Sequence, residues 1–136
     1  MPNAGKNFLW QACHEILPTK ASLFRRKIAK DALCPICTLE EGTCFHILWS
    51  CPSARDVWSG SIRWFHKSSL GGPSFRSVVE EMQRSCDEDE FRLFVEIARR
   101  VWFRWNETIH GGPFIHPTAL VQQVGEALVE FSVANN

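Results

Sequence analysis

Along most of this chain apolar residues recur at intervals of three and four, the spacing that gathers them on one face of an α-helix. Phe8, Leu9, Ala12, Cys13 and Ile16 share one such face, and Pro18 predicts its end by removing a backbone donor and restricting Leu17. Thr19 stands where it can cap a second helix, in which Leu23, Phe24 and Ile28 are expected to face the core while Lys20, Arg25, Arg26, Lys27 and Lys30 stay solvated. Pro52-Ser53 predicts the start of a third, carrying Val57, Trp58, Ile62 and Phe65. Residues 68–73, with Gly71-Gly72, read as a loop, after which Ser74 opens a helix built on Phe75, Val78, Val79 and Met82. Asp87 and Glu90 have the spacing of a capping box for the longest helix. Phe91, Phe94, Ala98, Val101 and Trp105 line its buried face, widened by Leu93, Val95, Ile97 and Trp102. Arg92, Glu96, Arg99, Arg100, Arg104 and Glu107 mark its wetter side. Gly111-Gly112-Pro113 stops it, and a last helix is expected from Pro117, burying Leu120, Val121, Val124, Leu128 and Phe131.

Between these helices lies a segment expected to start as a short turn or hairpin, and the chemistry concentrates there. Cys34-Pro-Ile-Cys37 is followed by His46 and Cys51, four soft ligands within eighteen residues. A CxxC pair grips one side of a tetrahedral Zn²⁺ through thiolates about 2.3 Å away, and a later His and Cys close the other side with no position left for a substrate. The metal implied is architectural. Cys44 is the alternative to His46, since it would complete a four-Cys set; two residues apart on a helix, the two point to different faces and do not both serve one ion. Gly42 is expected to relax the loop ahead of the turn carrying His46, which Ile47, Leu48 and Trp49 anchor. The fold class expected is therefore mainly α, a helical domain with a small embedded Cys3His zinc knuckle.

Composition narrows the picture further. A length of 136 residues, with 45% hydrophobic, 12% aromatic and 22% charged residues, suits one domain over 1–136, with a zinc-binding half at 1–67 and a helical half at 74–136. The 15 basic and 15 acidic side chains cancel, so attraction for a polyanion has to come from a local patch. Six cysteines would allow three disulfides, but no signal-peptide-like segment, long apolar run or framework of spaced pairs accompanies them. Reduced thiols, an intracellular setting in nucleus or cytoplasm, and no membrane association are expected.

Several of the residues named so far resemble a known family, the zinc-binding domain that follows the polymerase in plant non-LTR retrotransposon reverse transcriptases. The resemblance rests on Asn7-Phe8-Leu9-Trp10, Leu17-Pro18-Thr19, Leu23 and Arg26, then Cys34 to Cys37, Glu40-Glu41, His46, Cys51, Ala54 and Trp58. The run Ala98 to Glu107 with His110-Gly111-Gly112 is similar to the segment that precedes the ribonuclease H-like domain in those polyproteins, except that Trp105 stands where an Arg is common. The acidic metal ligands of that nuclease and the paired aspartates of the polymerase are absent from these 136 residues. The resemblance thus implies a non-enzymatic module that holds Zn²⁺ and handles RNA or DNA.

Lys20, Arg25, Arg26, Lys27 and Lys30 form the best local polycation and are the expected phosphate contacts. Five of the six Trp residues, Trp10, Trp49, Trp58, Trp102 and Trp105, sit at positions that suit core packing, leaving Trp64 beside Arg63 and Lys67 as the candidate for stacking a base. The rival reading is a protein-interaction or self-association module using an aromatic surface, which neutral charge and abundant Trp favour. The oligomeric state is not legible. Other candidates have plainer explanations. Cys13-His14 is an adjacent pair pointing about 100° apart on a helix, with no acidic partner evident; the carboxylates at Glu80-Glu81 and from Asp87 to Glu90 suit helix ends; His110 and His116 flank a turn; Cys86 is an ordinary thiol.

Overall fold

The computed structural model describes residues 3–61, 74–111, 119–120 and 122–123. Within them the chain is mainly α-helical and has no strand, only one antiparallel bridge between Leu33 and Glu41. The helices are α1 (Asn3–Cys13), α2 (Lys20–Arg25), α3 (Pro52–Ser61), α4 (Phe75–Ser85) and α5 (Glu88–Ile109), with a π-helical turn at His46–Ser50 just before α3. Residues 119–120 and 122–123 are also helical, with Leu120 buried. The expected loop at 68–73, along with Ile62, Trp64, Phe65, His116, Val121, Val124, Leu128 and Phe131, lies outside the described residues.

Helices α4 and α5 begin where the sequence says they should. Ser74 accepts the Ser77 N–H at 3.3 Å, and α4 buries Phe75, Val78, Val79 and Met82. Asp87 and Glu90 close both halves of the capping box, at 2.8 and 3.1 Å, and three acidic residues fill the first turn of α5. Gly111, at φ +85°, follows its last turn.

The N-terminal helices end differently from expectation. Helix α1 stops at Cys13, well before Pro18, because Glu15 adopts φ +56° and the Ile16 and Glu15 N–H groups bond back to the Gln11 and Ala12 carbonyls, a Schellman closure. The turn swings Ile16 off the helical face, leaving it exposed. Helix α2 starts as expected, with Thr19 accepting the Ser22 N–H, but closes the same way through Lys27 at φ +62°, with Ile28 and Lys27 bonding to Leu23 and Phe24 carbonyls. It therefore ends at Arg25, and Phe24 and Ile28, expected in the core, are exposed. Trp10 is exposed too, stacked on His14 at 4.5 Å. It lies on the side of α1 away from Gly5, Phe8 and Ala12, which are buried.

One apolar cluster joins residues from both halves. Helix α1 packs on α4 and α5, and the π turn packs on α3 and α5. At the centre Trp58 of α3 lies 5.0 Å from Trp49 of the π turn and 5.3 Å from Phe94 of α5, which stacks in turn on Phe75 of α4 at 5.9 Å. Such aromatic pairs add about 0.5–1.5 kcal/mol each beyond simple burial. The Trp58 indole also donates to the Leu48 carbonyl at 2.8 Å, so the core holds the π turn by its backbone as well as its side chains.

Candidate metal centre

The knuckle is built from two short pieces of backbone. The first is a loop from residue 32 to 42, closed by the Cys34 N–H to the Glu40 carbonyl at 2.8 Å and the Gly42 N–H to the Ala32 carbonyl at 2.7 Å. These bonds flank Cys34-Pro-Ile-Cys37 and fold it into a tight turn, completed by Thr38 at φ +58° donating its N–H to the Cys34 carbonyl at 2.8 Å. Gly42 serves by its size, since its φ is not positive: a Cβ there would meet Lys20 Cβ at 3.0 Å and Cys34 Cα at 3.3 Å. That close approach lets the Ala21 N–H reach the Gly42 carbonyl at 3.2 Å and ties α2 to the loop.

The second piece is the π turn. Thr43 Oγ1 accepts the His46 N–H at 3.2 Å, and the Cys51 N–H closes the turn on the His46 carbonyl at 2.7 Å. In an α-helix, residues five apart are about 140° apart around the axis. The wider i→i+5 closure brings them to nearly the same side, which is how His46 and Cys51 come to face one centre. Pro52 then starts α3 at a position where its missing N–H is no loss.

The two pieces bring Cys34, Cys37, His46 and Cys51 together, with their ligand atoms all within 4.8 Å of one another. A tetrahedron with 2.3 Å zinc–sulfur bonds has edges of about 3.8 Å, so a small inward movement of the donors suffices to seat the ion. The donor set is a borderline-soft one suited to zinc. Cys34, Cys51 and His46 are buried, with Cys37 partly so. Cys44 is not in the group: it is fully buried elsewhere, and burial followed by the charge of Glu15 pushes its thiol well up.

The four groups share their protons unevenly. A hydrogen bond from Cys51 holds the Cys34 thiol down to about 3 against the cost of burial, with His46 adding to the effect. The proton it lacks is kept by Cys51, raised by that same bond and by burial. Burial opposes ionisation of Cys37, but the Leu39 and Glu40 backbone and His46 together lower it. His46 Nε2 lies 3.2 Å from Cys37 Sγ, and although burial disfavours its charge, bonds to Cys34 and Cys37 raise it to about 9. A metal replaces these protons.

His46 Nδ1 faces the other way, 3.3 Å from Glu40 Oε2 and 3.4 Å from Ser50 Oγ. This is the carboxylate–histidine arrangement that fixes ring orientation and leaves Nε2 to the metal. Glu40 is exposed, so its worth lies in orientation more than in ion-pair energy. Neither the roles of Glu40 and Ser50 nor the π turn could be read from spacing. Arg104, expected on the wet side of α5, is buried and donates to Ser53 Oγ at 2.7 Å, two residues from Cys51. Its position three residues after Val101, on the apolar stripe, was the overlooked signal.

Of the expected phosphate contacts, Arg25, Arg26, Lys27 and Lys30 are exposed at the end of α2 and the turn after it. Lys20 is half-buried, 3.9 Å from Asp31.

Residues 1–58 match the family model described as zinc-binding in reverse transcriptase, a match that covers 58 of the 136 residues and ends within α3. No curated protein and no solved structure matches the chain. The match and the Cys3His group it encloses together fit a reverse-transcriptase zinc-binding domain.

Proposed function

We propose that the domain is a non-catalytic, zinc-stiffened module that binds nucleic acid, RNA or DNA, through the end of α2. The observation that supports this reading is the concentration of charge there. Arg25, Arg26, Lys27 and Lys30 stand exposed within six residues, and none forms an ion pair among the described residues. Exposed Phe24 lies beside them, an aromatic face on which a base can stack. Gly42 and the Ala21 N–H lock α2 to the knuckle, so zinc fixes the surface without touching the ligand. Phosphate contacts of this kind give affinity and register more than sequence choice.

Replacing Arg25, Arg26 and Lys27 together by Ala should weaken binding to single-stranded RNA or DNA while leaving zinc content unchanged. The slope of log affinity against log salt should fall by about 2–3 units. Wild-type protein without affinity for either polymer at low salt would overturn the reading. In its place would stand a protein-interaction surface, which the exposure of Trp10, Phe24, Ile28 and Leu39 favours. Binding through that surface should change little with salt.

A further inference from the structure

The turn that ends α2 exposes cations and large apolar side chains in one place. The Ile28 N–H bonds to the Leu23 carbonyl at 2.9 Å and the Lys27 N–H to the Phe24 carbonyl at 3.0 Å, a complete Schellman closure. In such closures the apolar residue after the turn commonly folds back on the helix. Here Ile28 stays 68% exposed, and Phe24, in the last turn of α2, 47%. Arg25, Arg26, Lys27 and Lys30 around them are exposed as well. The cations alone suffice to hold phosphates, so the two apolar groups call for a ligand that offers more than phosphate.

The start of α2 is closed to a ligand. Thr19, Ala21 and Ser22 are buried, and the Ala21 N–H bonds to the Gly42 carbonyl at 3.2 Å. A recognition helix reads a duplex with its N-terminal residues in the major groove, a mode that this burial forbids. At six residues α2 is about 9 Å long, and only its C-terminal end faces out. A duplex offers that end its phosphates but keeps its base faces stacked inside. A single strand offers phosphates and unstacked bases together.

We propose that the turn from Phe24 to Lys30 selects single-stranded nucleic acid over duplex, with Arg25, Arg26, Lys27 and Lys30 on the phosphates and the Phe24 ring under a base. Ile28 adds apolar contact to the sugar or base alongside. This rests on the nucleic-acid reading above and adds the form of the polymer and the side chain that chooses it. From residue 23 to 30 no amide or hydroxyl side chain is present to read a base edge, so the selection is of strand form and not of sequence.

The test uses the full zinc-loaded chain and labelled mixed-sequence oligonucleotides of one length, as single strands and as duplexes, in RNA and in DNA. Dissociation constants are read by fluorescence anisotropy, with zinc content and circular dichroism checking each variant. Single strands should bind about tenfold more tightly than duplexes of the same polymer. Phe24→Ala should weaken single-strand binding about fivefold to 150-fold, the range for one stacked base, and leave duplex affinity and the salt slope unchanged. Phe24→Leu, which keeps bulk but not the aromatic face, should lose most of the same affinity, and Phe24→Trp should keep it. Arg25→Ala should weaken both forms and lower the salt slope by about 1 unit. Equal wild-type affinity for the two forms, or Phe24→Leu binding single strands as tightly as wild type, overturns the inference and leaves the nucleic-acid reading standing. Phe24→Ala weakening both forms alike does the same. If Phe24→Ala does not fold, the Leu and Trp variants decide. Wild-type protein that binds neither form overturns both readings.

Discussion

The knuckle and the α4–α5 pair reach their structures by opposite routes. Helices α4 and α5 are specified locally: each has a side-chain N-cap, a regular apolar stripe and a matched partner face. The knuckle between Cys34 and Cys51 has little of this. Its backbone is held by a few loop bonds, one π turn and a left-handed Thr38, and its four ligand groups share protons that a metal would displace. The lesson is that α4 and α5 rest on local caps and apolar burial, whereas the loop from residue 32 to 42 depends on coordination, with Trp58 holding the π turn to the core.

The largest expected effect breaks the comparison at the metal. Binding energies for structural zinc in finger-sized peptides are about 10–16 kcal/mol and appear as folding energy. Chelation of zinc under reducing conditions should therefore abolish amide protection from residue 32 to 51 while protection in the middle of α5 persists longer, as hydrogen exchange would show. Acid should act in the same direction. Zinc displaces the protons held by Cys51 and by His46, which is raised to about 9, so apparent affinity falls as pH drops and falls more steeply below about 9. The fall should be roughly tenfold per pH unit for each proton displaced. Loss of protection spread evenly over both regions would erase the distinction.

Next in size is Trp58→Ala, which removes the ring between Trp49 and Phe94 and the bond to the Leu48 carbonyl. A cost of about 3–5 kcal/mol is expected in the zinc-loaded protein, measured by denaturant unfolding. Zinc should be released more readily as well, because the π turn carrying His46 loses its support.

Two small effects separate the regions most cleanly. Asp87→Ala should cost about 1 kcal/mol and leave zinc affinity untouched, since it loosens only the first turn of α5. Thr38→Gly should relieve a left-handed residue that costs about 1–2 kcal/mol, partly offset by the greater freedom of Gly when unfolded. The net gain should appear as tighter zinc binding. Asp87→Ala altering the metal, or Thr38→Gly weakening it, would contradict the division.

What the sequence disclosed follows the same line. The caps at Thr19, Ser74 and Asp87 and the stripes of α4 and α5 were legible because short-range rules decide them. The ends of α1 and α2 were not, because Glu15 and Lys27 take a conformation usually left to Gly, and nothing local marks them. Phe24, Ile28 and Trp10 were misplaced for that reason or because an apolar residue was assumed to be buried. In the metal centre the spacing of Cys34, Cys37, His46 and Cys51 was visible, whereas Glu40, Ser50 and Arg104 depend on tertiary approach, over 51 positions in the case of Arg104 and Ser53.

The most direct measurement is the zinc content of reduced, desalted protein by elemental analysis, for wild type and for Cys51→Ser, His46→Ala and Cys44→Ala. One zinc per chain is expected in wild type and in Cys44→Ala, with loss of the metal and of the knuckle's fold in the other two. Folded wild-type protein without zinc, or zinc retained in His46→Ala and lost in Cys44→Ala, would contradict a Cys3His centre built from Cys34, Cys37, His46 and Cys51.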